Sequence, residues 1–201
     1  AAGRPVTKDT SRGIRIYFWA FDNAHIVYLQ DRGGDENWRV YAVDLAAGAE
    51  RDLTPFDKVQ ARIEQVSPRH PGEILISVND RDPQLHDVYR VKLATGERTL
   101  AQKNEGFVGF SFDDDYRVRL ATRFTPDGGS EILKAAAAGF EPFAKVSPAD
   151  SLTTNPIGFD KSGNTLYLLD SRERDTAALT TVDLARSEEH TSELQSLTNL
   201  V

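Results

Sequence analysis

The sequence predicts an all-β protein, a partial β-propeller of about four four-stranded blades, the last one incomplete. Three observations predict it. Short runs of β-branched and aromatic residues are bounded by turn residues throughout the chain. One hairpin phrase, Val-Tyr-x-Val-x-Leu-Ala-x-Gly, stands in full at Val40–Gly48 and again at Val88–Gly96. Its period is close to that of a propeller blade, roughly 40 to 50 residues.

The first blade reads as strands over 14–19, 25–29, 38–43 and 51–54, with turns at Asp22-Asn23, at 31–34 and at Ala46-Ala47-Gly48. The second contains 73–78, 87–93 and 97–100, and its Gly96 follows Gly48 by 48 residues. The third runs through 107–110, 116–123 and 130–134, with Gly139 as its turn glycine. Ala135–Ala138 has helical propensity, but its place in the repeat predicts a hairpin. The fourth opens at Gly158-Phe159-Asp160, a full 138 residues after the Asp22 turn, and continues through 163–170 and 178–184. A β-sandwich also has short strands and regular turns but no reason to repeat the phrase. The blades are expected to resemble the WD40-like or TolB-like kind. The resulting division is an N-terminal extension over 1–13, the partial propeller over 14–185 and a tail over 186–201.

From Arg186 the alternation stops, and 186–196 resembles a translated sequencing adapter; these residues are expected to carry no evolved function. The competing reading is an amphipathic helix through Leu194, Leu197 and Val201. The absence of methionine, at position 1 and everywhere else, marks the chain as a fragment at the level of expectation. Sheet surfaces left open by missing blades are expected to be sticky.

A net charge of −7 without a basic stripe argues against nucleic acid as a partner. No apolar run approaches a membrane span, so no membrane partner is expected. The lack of cysteine excludes disulfides, thiolate metal sites and cysteine nucleophiles within these residues. No cofactor is predicted, and the compartment stays open between cytoplasm and periplasm of a bacterium.

Arg12-Gly13-Ile14-Arg15, Tyr17-Phe18-Trp19, Gln30-Asp31, 34–38, 79–83 and 86–89 together resemble the propeller of bacterial dipeptidyl and acylaminoacyl peptidases of the prolyl-oligopeptidase (S9) group. Arg117–Arg123, Asp170-Ser171-Arg172 and Arg174–Leu179 extend the resemblance, which covers about 5–185. It implies a parent serine peptidase acting on short peptides. In such an enzyme the propeller screens access to an α/β-hydrolase domain carrying a Ser, Asp and His triad. That domain, the implied partner, is missing from these residues, so the chain alone is expected to be inactive. The competing function is a non-catalytic propeller that binds a protein or peptide.

No catalytic residue is assigned. Ser111 in Gly109-Phe110-Ser111-Phe112-Asp113 misses the G-x-S-x-G elbow at its fifth position and reads as a strand residue. His25, His70 and His86 lack metal-ligand spacing. Asp31, Asp35 and Asn37 miss the glycine and glutamate of a calcium loop, and read as a solvated turn. Asp35 and Glu36 are the candidate substrate contacts, because carboxylates on a propeller loop can hold a peptide's free amino terminus by charge-assisted hydrogen bonds. The competing reading for them is hairpin structure around Trp38. Asp80, Arg81, Asp82 and His86 read as a polar loop serving turn chemistry and ion pairing between blades.

Overall fold

A computed structural model describes residues 3–8, 10 and 12–184. The tail over 186–201 lies outside the described residues, as does Ala185. The described residues form fifteen β-strands, and every strand pair is antiparallel.

The strands fall into four sheets, each an up-and-down meander in sequence order, which is the topology of propeller blades. The first holds β1 (Ile16–Trp19), β2 (His25–Gln30), β3 (Arg39–Asp44) and β4 (Ala49–Asp52). The second holds β5 (Ala61–Val66), β6 (Glu73–Asp82), β7 (Leu85–Lys92) and β8 (Arg98–Gln102). The third holds β9 (Gly109–Phe112), β10 (Val118–Phe124), β11 (Ser130–Ala136) and β12 (Gly139–Val146). The fourth has β13 (Asn155–Phe159), β14 (Thr165–Asp170) and β15 (Ala178–Asp183). The chain divides after Glu105 into two compact units, with two sheets in each.

The hairpin glycines explain the repeat. Gly48, Gly96 and Gly139 turn β3 into β4, β7 into β8 and β11 into β12 with φ of +64°, +74° and +92°, a region that costs a side-chain-bearing residue free energy. Opposite turns reuse one carboxylate device. Asp22 accepts from the amides of Ala24 and His25, Asp113 from those of Asp115 and Arg117, and Asp160 from those of Asn164 and Thr165.

In the first unit the core lies between facing sheets, where Val27, Leu29, Val40 and Ala42 meet Ala61, Ile74, Ile76 and Val91. The other face of the first sheet buries Tyr28, Tyr41 and Val43, with Ile14 packed against them. Coverage on both faces is why β2 and β3 read as almost unbroken apolar runs rather than alternating ones. The core of the second unit joins Leu120, Ile132 and Val146 to Leu166, Leu168 and Val182.

Three elements differ from the sequence expectation. β5, with Arg62, Glu64 and Gln65 among its six residues, lacks a clean apolar alternation and was not expected. β12 was foreseen only as its glycine, since Pro142 argues against a strand; β12 tolerates it as an edge strand with a bulge opposite Ile132 and Leu133. Asp80, Arg81 and Asp82 are strand residues of β6 and His86 is in β7, with only Pro83 and Gln84 between the strands, so the predicted polar loop is a hairpin. Its ion pair, Arg81 with Asp87 at 2.6 Å, is made within one sheet, not between blades. The expectation of a hairpin at Ala135–Ala138 holds.

Candidate functional site

The candidate loop connects β2 to β3. Its root is Asp31, buried and held by Nε and Nη2 of Arg12 at 3.0 and 2.7 Å. The neighbouring Gln30 donates to the Arg12 carbonyl oxygen, so the segment before β1 is tied down beside the loop. Gly33, Gly34 and Glu36 all have positive φ, which folds the loop tightly enough to return into β3.

Asp35 is committed to that fold. Its Oδ1 accepts from the amides of Arg32 and Asn37, both at 3.1 Å. Its Oδ2 accepts from the Asn37 side chain and from Nη1 of the buried Arg39 at 3.2 Å. Burial works against ionisation of Asp35, but the amides of Arg32 and Asn37, the Asn37 side chain and Arg39 outweigh it and hold its pKa below the ordinary carboxylate range. Glu36 is placed differently. It is exposed at φ +57°, and its carboxylate has no hydrogen-bond or ion-pair partner among the described residues. Its backbone oxygen accepts from Gln60 Nε2 at 3.4 Å, which places the loop beside the start of β5.

Gln60 belongs to a cleft between the first strands of the two sheets. A cavity of about 200 Å³ is lined by Arg15, Ile16, Leu29, Trp38, Gln60, Ala61 and Arg62. A second cavity of about 600 Å³ shares Ile16, Leu29 and Arg62 with it and continues along Phe18 and Ile63–Val66. The Ala61 amide donates to the Trp38 carbonyl oxygen at 2.8 Å, which joins the two sheets at this point. Sequence reasoning found Trp38 as a hairpin residue but missed Arg15, Gln60 and Arg62 as neighbours. The usable signal was the repeat itself, because each blade's first strand precedes a polar turn, and Ser67-Pro68 is the turn that β5 precedes.

The remaining candidates occupy structural positions. Ser111 lies in β9 opposite Leu120. His25 Nδ1 lies 2.7 Å from Asp22 Oδ2, and His70 Nδ1 lies 3.1 Å from an Arg90 nitrogen. Burial and the nearby Arg62 guanidinium both lower the pKa of His86. Asp31 is bound to Arg12, while Asp35 and Asn37 bond to each other, so the three do not converge as calcium ligands. Among the described residues no three His, Asp or Glu side chains are grouped to hold a metal ion, and no helix is long and apolar enough to cross a membrane.

No protein-family model matches the chain. A TolB-type protein of Agrobacterium tumefaciens superposes with a TM-score of 0.60 over 96% of this chain and 65% of its own, at 14% identity, a likeness of fold alone. In sequence the chain is 50% identical over 184 residues to dipeptidyl aminopeptidase BIII of Pseudoxanthomonas mexicana, across 90% of this chain and 27% of that protein. It is 32% identical over 179 residues to dipeptidyl peptidase family member 6 of Caenorhabditis elegans, across 82% of this chain and 24% of that protein. The chain therefore spans about a quarter of the length of the curated relatives it matches. Sequence identity of this extent, on a chain built of successive four-stranded meanders, makes this chain a β-propeller member of the dipeptidyl peptidase family.

Proposed function

We propose that the chain is the access-screening propeller part of a serine-type peptidase of the prolyl-oligopeptidase group, one that takes dipeptides from the amino ends of short peptides. The observation that carries the reading is the 50% identity to a dipeptidyl aminopeptidase along nine-tenths of the chain. Cleavage belongs to an α/β-hydrolase partner in the remaining length of such proteins. There a serine attacks the scissile carbonyl, a histidine takes and returns the proton, and an acid orients the histidine.

The propeller's part is to hold and orient the peptide. Within it Glu36 is assigned to the substrate's ammonium group, since its carboxylate is exposed and has no partner among the described residues. Asp35 supports that role by fixing the loop, its own oxygens being occupied by four donors.

The test uses the longer polypeptide that carries this segment, assayed with a dipeptide p-nitroanilide that has either a free or an acetylated amino end. Turnover of the free-amino substrate is expected, with none from the 201-residue chain alone. Glu36→Gln should raise KM for it by about tenfold or more, the worth of one charge-assisted hydrogen bond. An unchanged KM removes Glu36 from the site. If the longer polypeptide cleaves nothing and no serine reacts with a fluorophosphonate, the peptidase reading fails and a non-catalytic peptide-binding propeller takes its place.

A further inference from the structure

Glu36 presents its carboxylate from a backbone that does not hold its shape unaided. Its φ of +57° lies in the left-handed region that a side-chain-bearing residue rarely adopts, so surrounding contacts must fix it. Asp35 ties the residues on either side, since its oxygens accept from the amides of Arg32 and Asn37 and from the Asn37 and Arg39 side chains. The amide of Glu36 itself donates to a different carboxylate, Oδ2 of Asp31, at 3.4 Å.

Asp31 is in turn neutralised by Arg12. The Asp31 side chain is 1% exposed, and Nε and Nη2 of Arg12 meet its two oxygens at 3.0 and 2.7 Å, in the paired geometry that a guanidinium offers a carboxylate. The same guanidinium lies along the backbone of the loop, because a Cβ built on Gly34 would stand 3.8 Å from its Nη1. Arg12 is itself anchored from two sides. Gln30 Nε2 donates to its carbonyl oxygen at 2.9 Å, and Ile14, two residues on, packs against Tyr28, Tyr41 and Val43. A cation fixed ahead of β1 therefore stands behind the acid that reaches the Glu36 amide. Without it a buried carboxylate would be left unpaired, and the loop would open to hydrate it.

We propose that Arg12 is a positioning residue: by clamping Asp31 it fixes the Glu36 amide, and so sets where the Glu36 carboxylate meets the ammonium group of the peptide. This rests on the function proposed above and adds to it a residue from outside the loop and ahead of the first strand. Arg12 touches no substrate in this role. It acts only through Asp31 and Glu36, so its removal can cost at most what Glu36 contributes. The Arg12 side chain is 41% exposed, which lets glutamine replace it without burying a polar group of its own.

The longer polypeptide that carries this segment is assayed with a dipeptide p-nitroanilide bearing a free amino end, as the parent, Arg12→Gln, Arg12→Lys, Glu36→Gln and the variant combining Arg12→Gln with Glu36→Gln. Arg12→Gln is expected to raise KM several-fold, up to but not beyond the about tenfold of Glu36→Gln, with kcat changed less than KM. Arg12→Lys keeps the charge but not the paired donors, and should fall between Arg12→Gln and the parent. In the Glu36→Gln background the loss of Arg12 should add nothing to KM, since the two residues act as one unit. Additive effects overturn the proposal, because a merely structural loss weakens binding whether or not Glu36 is present. A parent-like KM in Arg12→Gln beside a raised one in Glu36→Gln also overturns it, and leaves the assignment of Glu36 standing. If Glu36→Gln itself has the parent's KM, the assignment of Glu36 fails and the role of Arg12 fails with it. Hydrogen exchange over 31–37 reads the loop directly: it should quicken in Arg12→Gln, and unchanged exchange removes the clamp.

Discussion

At the scale of single residues, the molecule places buried acids where a strand needs an anchor. Asp87 in β7 is nearly inaccessible and takes two hydrogen bonds from Arg81, at 2.6 and 2.7 Å, and one from the Asn104 amide at 2.7 Å. Arg81 is the chief reason that the pKa of Asp87 is lowered; burial opposes the shift, and the Asn104 amide adds to it. A depressed folded-state pKa means that the ionised form favours the native state. The stability this gives is complete above the unfolded value of about 3.9 and is lost as pH falls from there through the folded value. Urea unfolding between pH 3 and 7 should therefore show a smaller acid-side loss in Asp87→Asn, which should also be less stable than the parent at neutral pH. Parallel curves for the two proteins would remove Asp87 from the acid response. Asp87 was legible as part of a hairpin phrase, but its partner was not, because pairing six residues apart depends on where β6 ends.

At the scale of elements, glycine turns set the blade period, and their tolerance depends on what stands beside them. Gly163, between β13 and β14, has φ +73°, and a Cβ there would lie 2.7 Å from Arg119 Nη1 and 3.2 Å from Asp113 Oδ2. Gly139 has φ +92°, with nothing within 4 Å of such a Cβ. Gly139→Ala should cost on the order of 1 kcal/mol from backbone strain alone. Gly163→Ala should cost more, about 2 to 3 kcal/mol, because it also disturbs the Arg119–Asp113 ion pair. Chemical denaturation of the two variants measures the difference, and equal losses would mean that the ion pair adapts freely. The turn glycines were readable from their spacing. Two of the blades' first strands, β5 and β13, were harder to read, since Glu64 sits where the β5–β6 register shifts and Ile157 where the β13–β14 register shifts, and each shift breaks the period-two pattern.

At the scale of the whole molecule, the fourth sheet carries open surface. Among the described residues β15 pairs only with β14, and Leu179 on it is 44% exposed; Ile157 on β13 is 62% exposed and Leu152 just before it 85%. An apolar strand edge of this kind is a template for association between copies. Leu179→Lys should raise the monomer fraction in sedimentation velocity at high protein concentration while leaving circular dichroism unchanged. An unchanged distribution would place the sticky surface elsewhere.

The sequence by itself determined the fold class, the blade period and the family, because hairpin glycines, turn carboxylates and β-branched runs are local signals that repeat with the blade. It also singled out the Asp35-Glu36 loop. Only the tertiary structure separated those two acids, giving Asp35 to the loop and leaving Glu36 exposed, since that outcome depends on Arg39 and on amides that the loop brings back upon itself. Only the structure set Arg15, Trp38 and Gln60 on one cleft. They lie ahead of three different strands, and no periodicity in the chain records which side chains meet when two sheets pack.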